Sequence, residues 1–149
     1  MDFDFDDHHT RRVLKFMEEG YFENSFTKMW IKDGIVFSEY APNLNITLEM
    51  AIIAVKERVK LMDGTSRPIY ADVRNALSID KEARDYLSSK EGTHLLSAGA
   101  FLVSSQVEKF MGTFFIKINR PLIPTKLFTS YDEAVKWLNT FKALSETSS

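Results

Sequence analysis

The chain has 149 residues, 44% of them hydrophobic and 13% aromatic, enough for one proper core, so global disorder is excluded. Its 19 basic and 21 acidic residues leave a formal charge of −2, which argues against a broad nucleic-acid face. There is no cysteine, which rules out disulfides, thiol nucleophiles and zinc–thiolate sites. The longest unbroken apolar run, Met50–Val55, is far short of the roughly 20 residues of a membrane span. No charged-then-apolar leader with a small-residue cleavage site opens the chain, so a soluble cytoplasmic protein is expected.

Met1–His9 carries four aspartates and no core-forming period, and reads as a mobile acidic tail. Thr10 can cap a short helix to about Glu19, with Val13, Leu14 and Met17 on one face and Gly20 as its stop. Ser25–Ile31 and Ile35–Tyr40 are rich in β-branched, aromatic and apolar residues and flank Lys32-Asp33-Gly34. Asp-Gly supplies the two positive-φ positions of a type I′ hairpin turn. That loop sets Trp30 opposite Phe37 and Lys28 opposite Glu39, an aromatic and an opposite-charge pair.

Ala41–Ile46 reads as a loop, with an Asn45-Ile46-Thr47 sequon taken as the run-up to a helix cap. Thr47 caps a helix from Leu48 to about Met62, with Leu48, Ala51, Ile52, Val55, Val59 and Met62 on one stripe and Gly64 at its end. Pro68–Val73 is a short strand with proline tolerated at its start. Asp80 can cap a helix to about Ser89, stopped near Gly92. Ser97–Val103 is apolar or small on both parities, as in a strand covered on both faces, and Phe101 is expected to be fully buried. Ser104 or Ser105 caps a helix to about Asn119. Pro121 and Pro124 bracket a connection into a strand, Thr125–Phe128. Ser130-x-x-Glu133 is a capping box that opens a last helix with Ala134, Val135, Leu138 and Phe141 inward, before a polar tail.

Alternating elements of this kind predict an α/β fold with a mostly parallel sheet and right-handed crossovers. The expected organisation is an acidic tail and short helix over 1–20, one domain over 21–143, and a polar tail over 144–149.

Three stretches resemble the small uncharacterised bacterial STAS/SEC14-like domains. They are Ser78-Ile-Asp-Lys-Glu-Ala-Arg84, Phe114-Phe-Ile-Lys-Ile-Asn-Arg-Pro121, and Pro124-Thr-Lys-Leu-Phe128 followed by Glu133-Ala-Val-Lys-Trp-Leu138. The resemblance covers Phe22 to about Phe141 and concerns fold more than function. It implies a STAS-like βα superhelix: a mostly parallel five-stranded sheet, an N-terminal antiparallel hairpin and four to five helices. Related STAS domains act in partner switching, where a serine at a helix N-terminus is phosphorylated, and SEC14-like relatives bind lipids. No enzymatic activity comes with the resemblance. Here Lys81 follows Asp80 where those switches carry the serine, so no phosphate-driven switch is expected at this helix.

Asp4, Asp6, Asp7, His8 and His9 are of metal-ligating type but match no known loop, and read as solvated tail. His94 is the one histidine outside that tail and reads as a surface or strand-edge residue. No glycine-rich phosphate loop occurs. The densest polar grouping is Asp72 and Arg74 at a strand's carboxyl end, Asp80, Lys81 and Arg84 at the next helix start, and Ser104 and Ser105 leaving the following strand. Open α/β sheets bind ligands at that edge. The same residues also suit helix capping with Asp80–Arg84 or Lys81–Asp85 ion pairs.

The helix Gln106–Asn119 is apolar nearly all round. Val107, Phe110, Met111, Phe114 and Ile118 form one stripe assigned to the core, with Phe115 on its flank and Ile116 opposite. Gly112 suggests a neighbour close to the backbone. Met111, Gly112, Phe114, Phe115 and Ile116 are therefore candidates for a homodimer interface or an apolar pocket. The leading expectation is a non-enzymatic regulatory or binding domain that docks a partner protein near Asp80. Its rival is a small carrier of an apolar, lipid-like ligand. No metal or cofactor is expected, and an enzyme has little to build on.

Overall fold

The computed structural model describes residues 20–148, with side chains as far as Lys142. The acidic segment and the helix expected at Thr10–Glu19 lie outside the described residues. The strands are β1 (Tyr21–Glu23), β2 (Thr27–Lys32), β3 (Ile35–Tyr40), β4 (Asn45–Ile46), β5 (Arg67–Asp72), β6 (Ser78–Ile79), β7 (Leu96–Leu102) and β8 (Thr125–Phe128). The helices are α1 (Leu48–Met62), α2 (Lys81–Ser88), α3 (Gln106–Phe114) and α4 (Tyr131–Ser148), with a wider π turn over Phe115–Asn119 continuing α3.

The main sheet has six strands in the order β1-β2-β3-β5-β7-β8, and β4 pairs with β6 in a separate two-stranded ribbon. The hairpin β2–β3 forms in the expected register, with Trp30 opposite Phe37 and Lys28 opposite Glu39. Asp33 (φ 52°) and Gly34 (φ 81°) supply its turn. β3, β5, β7 and β8 run parallel. The sheet gains one strand over the expected five, because β1 pairs antiparallel with β2 straight after Gly20.

Helices cover both faces. On one, α4 seats Ala134 and Leu138 against Phe37, Tyr70, Ala98, Ala100 and Leu102. On the other, Met62 of α1 packs against Ile31 and Val36. α1 and α2 join through Ala51, Ala83 and Ile46. β7 is thus covered on both sides, as its double apolar parity requires.

Three details differ from expectation. The buried face of α1 is Ala51, Ala54, Val55, Arg58 and Met62, whereas Leu48 and Ile52 are exposed. Phe101 is only half-buried, because the space over it is a cavity rather than filled core. α4 continues through Ser148, across the residues assigned to a polar tail. Of the capping box at its start, the serine half forms, Glu133 N donating to Ser130 Oγ at 3.3 Å.

Candidate functional site

The cavity lies between the sheet and α3 and measures about 160 Å³. Ile69, Ala71, Gly99 and Phe101 form its sheet side, and Met111 and Phe115 face them from α3 and the π turn. The small residues at 71 and 99 leave room that leucine or isoleucine would fill. A Cβ on Gly112 would stand 2.6 Å from Leu127 Cδ2, so α3 rests its backbone on β8. That contact is the close neighbour the glycine suggested. Phe115, 8% exposed, sets its ring 5.5 Å from that of Phe101. The π turn aims Phe115 inward, and Arg120 in the left-handed conformation (φ 48°) follows it.

The cavity's polar lining includes Tyr40 and Arg58. Arg58 is 3% exposed. It donates from Nη1 to His94 O (2.8 Å) and Met62 Sδ (3.0 Å), and from Nη2 to Gly92 O (3.1 Å). These bonds tie α1 to the turn that leads into β7. Burial pulls the guanidinium down to about 10, with Tyr40 and Tyr86 acting in the opposite sense. Burial pushes the Tyr40 phenol up to about 12, against the pull of Arg58. No carboxylate among the described residues pairs with Arg58.

A second, polar cleft of about 230 Å³ opens on the α4 face at the carboxyl ends of the strands. Trp30, Phe37, Tyr70 and Tyr131 stack along it with neighbouring centroids 5.2–6.2 Å apart. Arg74 closes its rim in a two-pronged pair with Asp72, Nε to Oδ1 at 3.0 Å and Nη2 to Oδ2 at 2.7 Å. Burial, and then the nearby Asp72 charge, push the Tyr70 phenol up to about 12, so it stays protonated at neutral pH.

The remaining polar candidates fall elsewhere. Asp80 stands at the cap position of α2, but its side chain makes no capping bond. Lys81 pairs with Asp85 at 2.8 Å, the ion pair expected, whereas Arg84 turns to Ile79 O (2.7 Å) instead of Asp80. Ser78 Oγ donates to Asn45 Oδ1, joining β6 to β4. Ser105 Oγ accepts from Glu108 N at 3.0 Å, and Glu108 returns a carboxylate to Ser104 N (2.7 Å) and to Asn75 N (3.1 Å). Ser104 and Ser105 are thereby joined to the loop after β5, while Asp80, Lys81 and Arg84 line neither cleft. His94 is exposed and lines neither cleft. Among the described residues no cluster of metal-ligating side chains occurs.

The core stripe assigned to α3 is a correction. Val107, Phe110, Phe114 and Ile118 are 67%, 71%, 39% and 64% exposed. Only Met111 of that stripe reaches the cavity, joined by Gly112 and Phe115, while Ile116 is half-buried outside it. Arg84 of α2 lies over the Phe114 ring at 5.2 Å, and Asn119 Nδ2 donates to Asp85 at 2.7 Å. The exposed apolar strip thus borders α2. Sequence reading passed over Arg58 and Glu108. The signals were present: Arg58 falls at helical spacing between Val55 and Met62, and Ser105-x-x-Glu108 is a capping-box spacing.

A family profile described as a domain of unknown function, DUF7793, matches residues 29–142, and the chain belongs to that family. No curated protein matches it. Among solved structures, it is similar to an uncharacterized protein of the DUF3478 family with a SpoIIAA-like fold from Shewanella loihica PV-4. That match has 12% identity and a TM-score of 0.55, covering 80% of this chain and 99% of the other. The fold is therefore SpoIIAA-like, in agreement with the STAS-like resemblance. No helix among the described residues is long and apolar enough to cross a membrane.

Proposed function

We propose that this chain is a non-enzymatic binding domain that holds a small apolar ligand between β5–β7 and α3. The cavity of about 160 Å³ carries this reading. An apolar cavity of about 150 Å³ in a protein core accepts a benzene-sized molecule, so six to eight non-hydrogen atoms fit. The SEC14-like side of the sequence resemblance agrees with it. The test is a titration with 1-hexanol followed by amide NMR shifts. Saturable shifts confined to Ala71, Gly99, Met111 and Phe115, and absent from Ala71→Leu, are expected. Shifts that stay linear, or survive Ala71→Leu, reject it.

A second reading, docking of a partner protein near the start of α2, draws on the exposed strip of α3. Val107, Phe110, Phe114 and Ile118 form an apolar surface bordered by Arg84 and the exposed Lys117. Its charge suits an apolar segment flanked by acidic residues. Exposed apolar patches on otherwise polar surfaces mark interaction sites.

A further inference from the structure

We infer that the cavity selects an apolar monoanion, a short-chain or aromatic carboxylate, whose charged end meets the Arg58 guanidinium beside the Tyr40 hydroxyl. The inference rests on the reading of the cavity as a ligand site and names the ligand's chemical class.

Arg58 is buried to 3% exposure, yet its partners are two backbone carbonyls and a thioether. All three are neutral. The titratable groups that face it, Tyr40 and Tyr86, are phenols rather than carboxylates, and burial pushes that of Tyr40 up to about 12. A buried cation without an anion is costly, and such charges are ordinarily paired. Stapling the turn at Gly92 and His94 needs donors but no charge. The surplus charge is therefore presented to the cavity that Arg58 lines.

Where the sheet faces α3 the lining fits the other end of such a molecule; the cavity's hydroxyls besides that of Tyr40 are those of Ser38, Ser78, Thr93 and Thr125, the last three donating to Asn45 Oδ1, Ser89 O and Ile123 O. Ile69, Ala71, Phe101, Met111 and Phe115 offer no polar side-chain atom able to compete for a carboxylate. Glu108, the acidic residue of the lining, is engaged by the N–H groups of Asn75 and Ser104 at the cap of α3. An amphiphile with one anionic end and a hydrocarbon body of about six atoms satisfies both surfaces.

The experiment compares three probes of one chain length, hexanoate, 1-hexanol and hexylammonium, by NMR titration of the full chain at pH 7. Hexanoate is expected to bind at least ten-fold tighter than 1-hexanol, with hexylammonium weakest. Arg58→Gln keeps donors for the turn and removes the charge, and should bring hexanoate to within about three-fold of 1-hexanol. Should Arg58→Gln fail to fold, Tyr40→Phe decides: it should weaken hexanoate several-fold and leave 1-hexanol unchanged. If 1-hexanol binds as well as hexanoate, or the preference is undiminished in the deciding variant, the assignment to Arg58 beside Tyr40 fails while the cavity remains a ligand site. If none of the three binds, both readings fail.

Discussion

Phe101 is the penultimate residue of β7, its ring tilted against that of Phe115 and bordering the cavity. Deleting a fully buried phenylalanine costs roughly 3–5 kcal/mol, but a half-buried ring beside existing space gives up fewer contacts. Phe101→Ala should therefore destabilise by about 2 kcal/mol in urea unfolding. A loss above about 4 kcal/mol would mean the ring is clamped on all sides. Gly92 is constrained differently. A Cβ there would run into Tyr86 O and lie 2.7 Å from Leu87 Cα, both main-chain atoms that cannot swing aside. Gly92→Ala should cost more than about 2 kcal/mol and disturb the two carbonyls that hold Arg58, which the melting midpoint of the variant measures. Neither feature was fully legible. Strand parity places Phe101 on a face but says nothing about what stands over it. An arginine on an apolar stripe shows only that something unusual is buried. Its partners are backbone oxygens 34 and 36 residues away, and no residue type encodes those.

The elements themselves were read well wherever capping and periodicity coincided. Thr47 accepts from Met50 N at 3.2 Å where the cap of α1 was expected, and α2, β8 and the hairpin fall within two residues of their predicted bounds. β1, β4 and β6, each of two or three residues, were missed because a period of two needs more length than they have. α3 failed for another reason. A helix apolar nearly all round offers two stripes, and a wheel at 100° per residue cannot choose between them. The choice is made by Gly112, which alone lets the backbone rest on Leu127, and by the π turn, which rotates Phe115 into the cavity. Glu108 then anchors the start of α3. Burial pushes its carboxyl up, but bonds from Ser104, Asn75 and Ser105 outweigh this and hold it below its ordinary 4.5. A lowered folded pKa means that this stability is present above the ordinary value and lost as pH falls through the folded one. Acid should thus loosen α3, and Glu108→Gln should flatten the acid limb of a stability-versus-pH curve. An unchanged limb would show that the Glu108 bonds contribute nothing to folding.

At the scale of the molecule, the alternation of elements sufficed to predict a mostly parallel sheet with an antiparallel entry, and the SpoIIAA-like fold agrees. The surface of α3 was not predictable that way. Whether an apolar stripe is core or exterior depends on which elements finally cover it, and α4 covers the opposite face of the sheet. What remains is a helix whose inner side bounds the cavity and whose outer side presents Phe110 at 71% exposure. A substitution at so exposed a position should leave folding stability within about 0.5 kcal/mol. Phe110→Glu should therefore keep the melting midpoint and the hexanol response, because Phe110 does not line the cavity. It also sets a negative charge in the strip bordered by Arg84, where a partner with acidic flanks would be repelled. Sedimentation of the full chain then separates the occupants. A wild-type monomer whose capture of an acidic-flanked apolar peptide is lost in Phe110→Glu supports docking of a partner protein. A wild-type dimer that becomes monomeric in the same variant assigns the strip to a second copy of the chain. Loss of the hexanol response in Phe110→Glu would join the two sides of α3 into one device, since a change on the outer surface would then have moved the wall of the cavity.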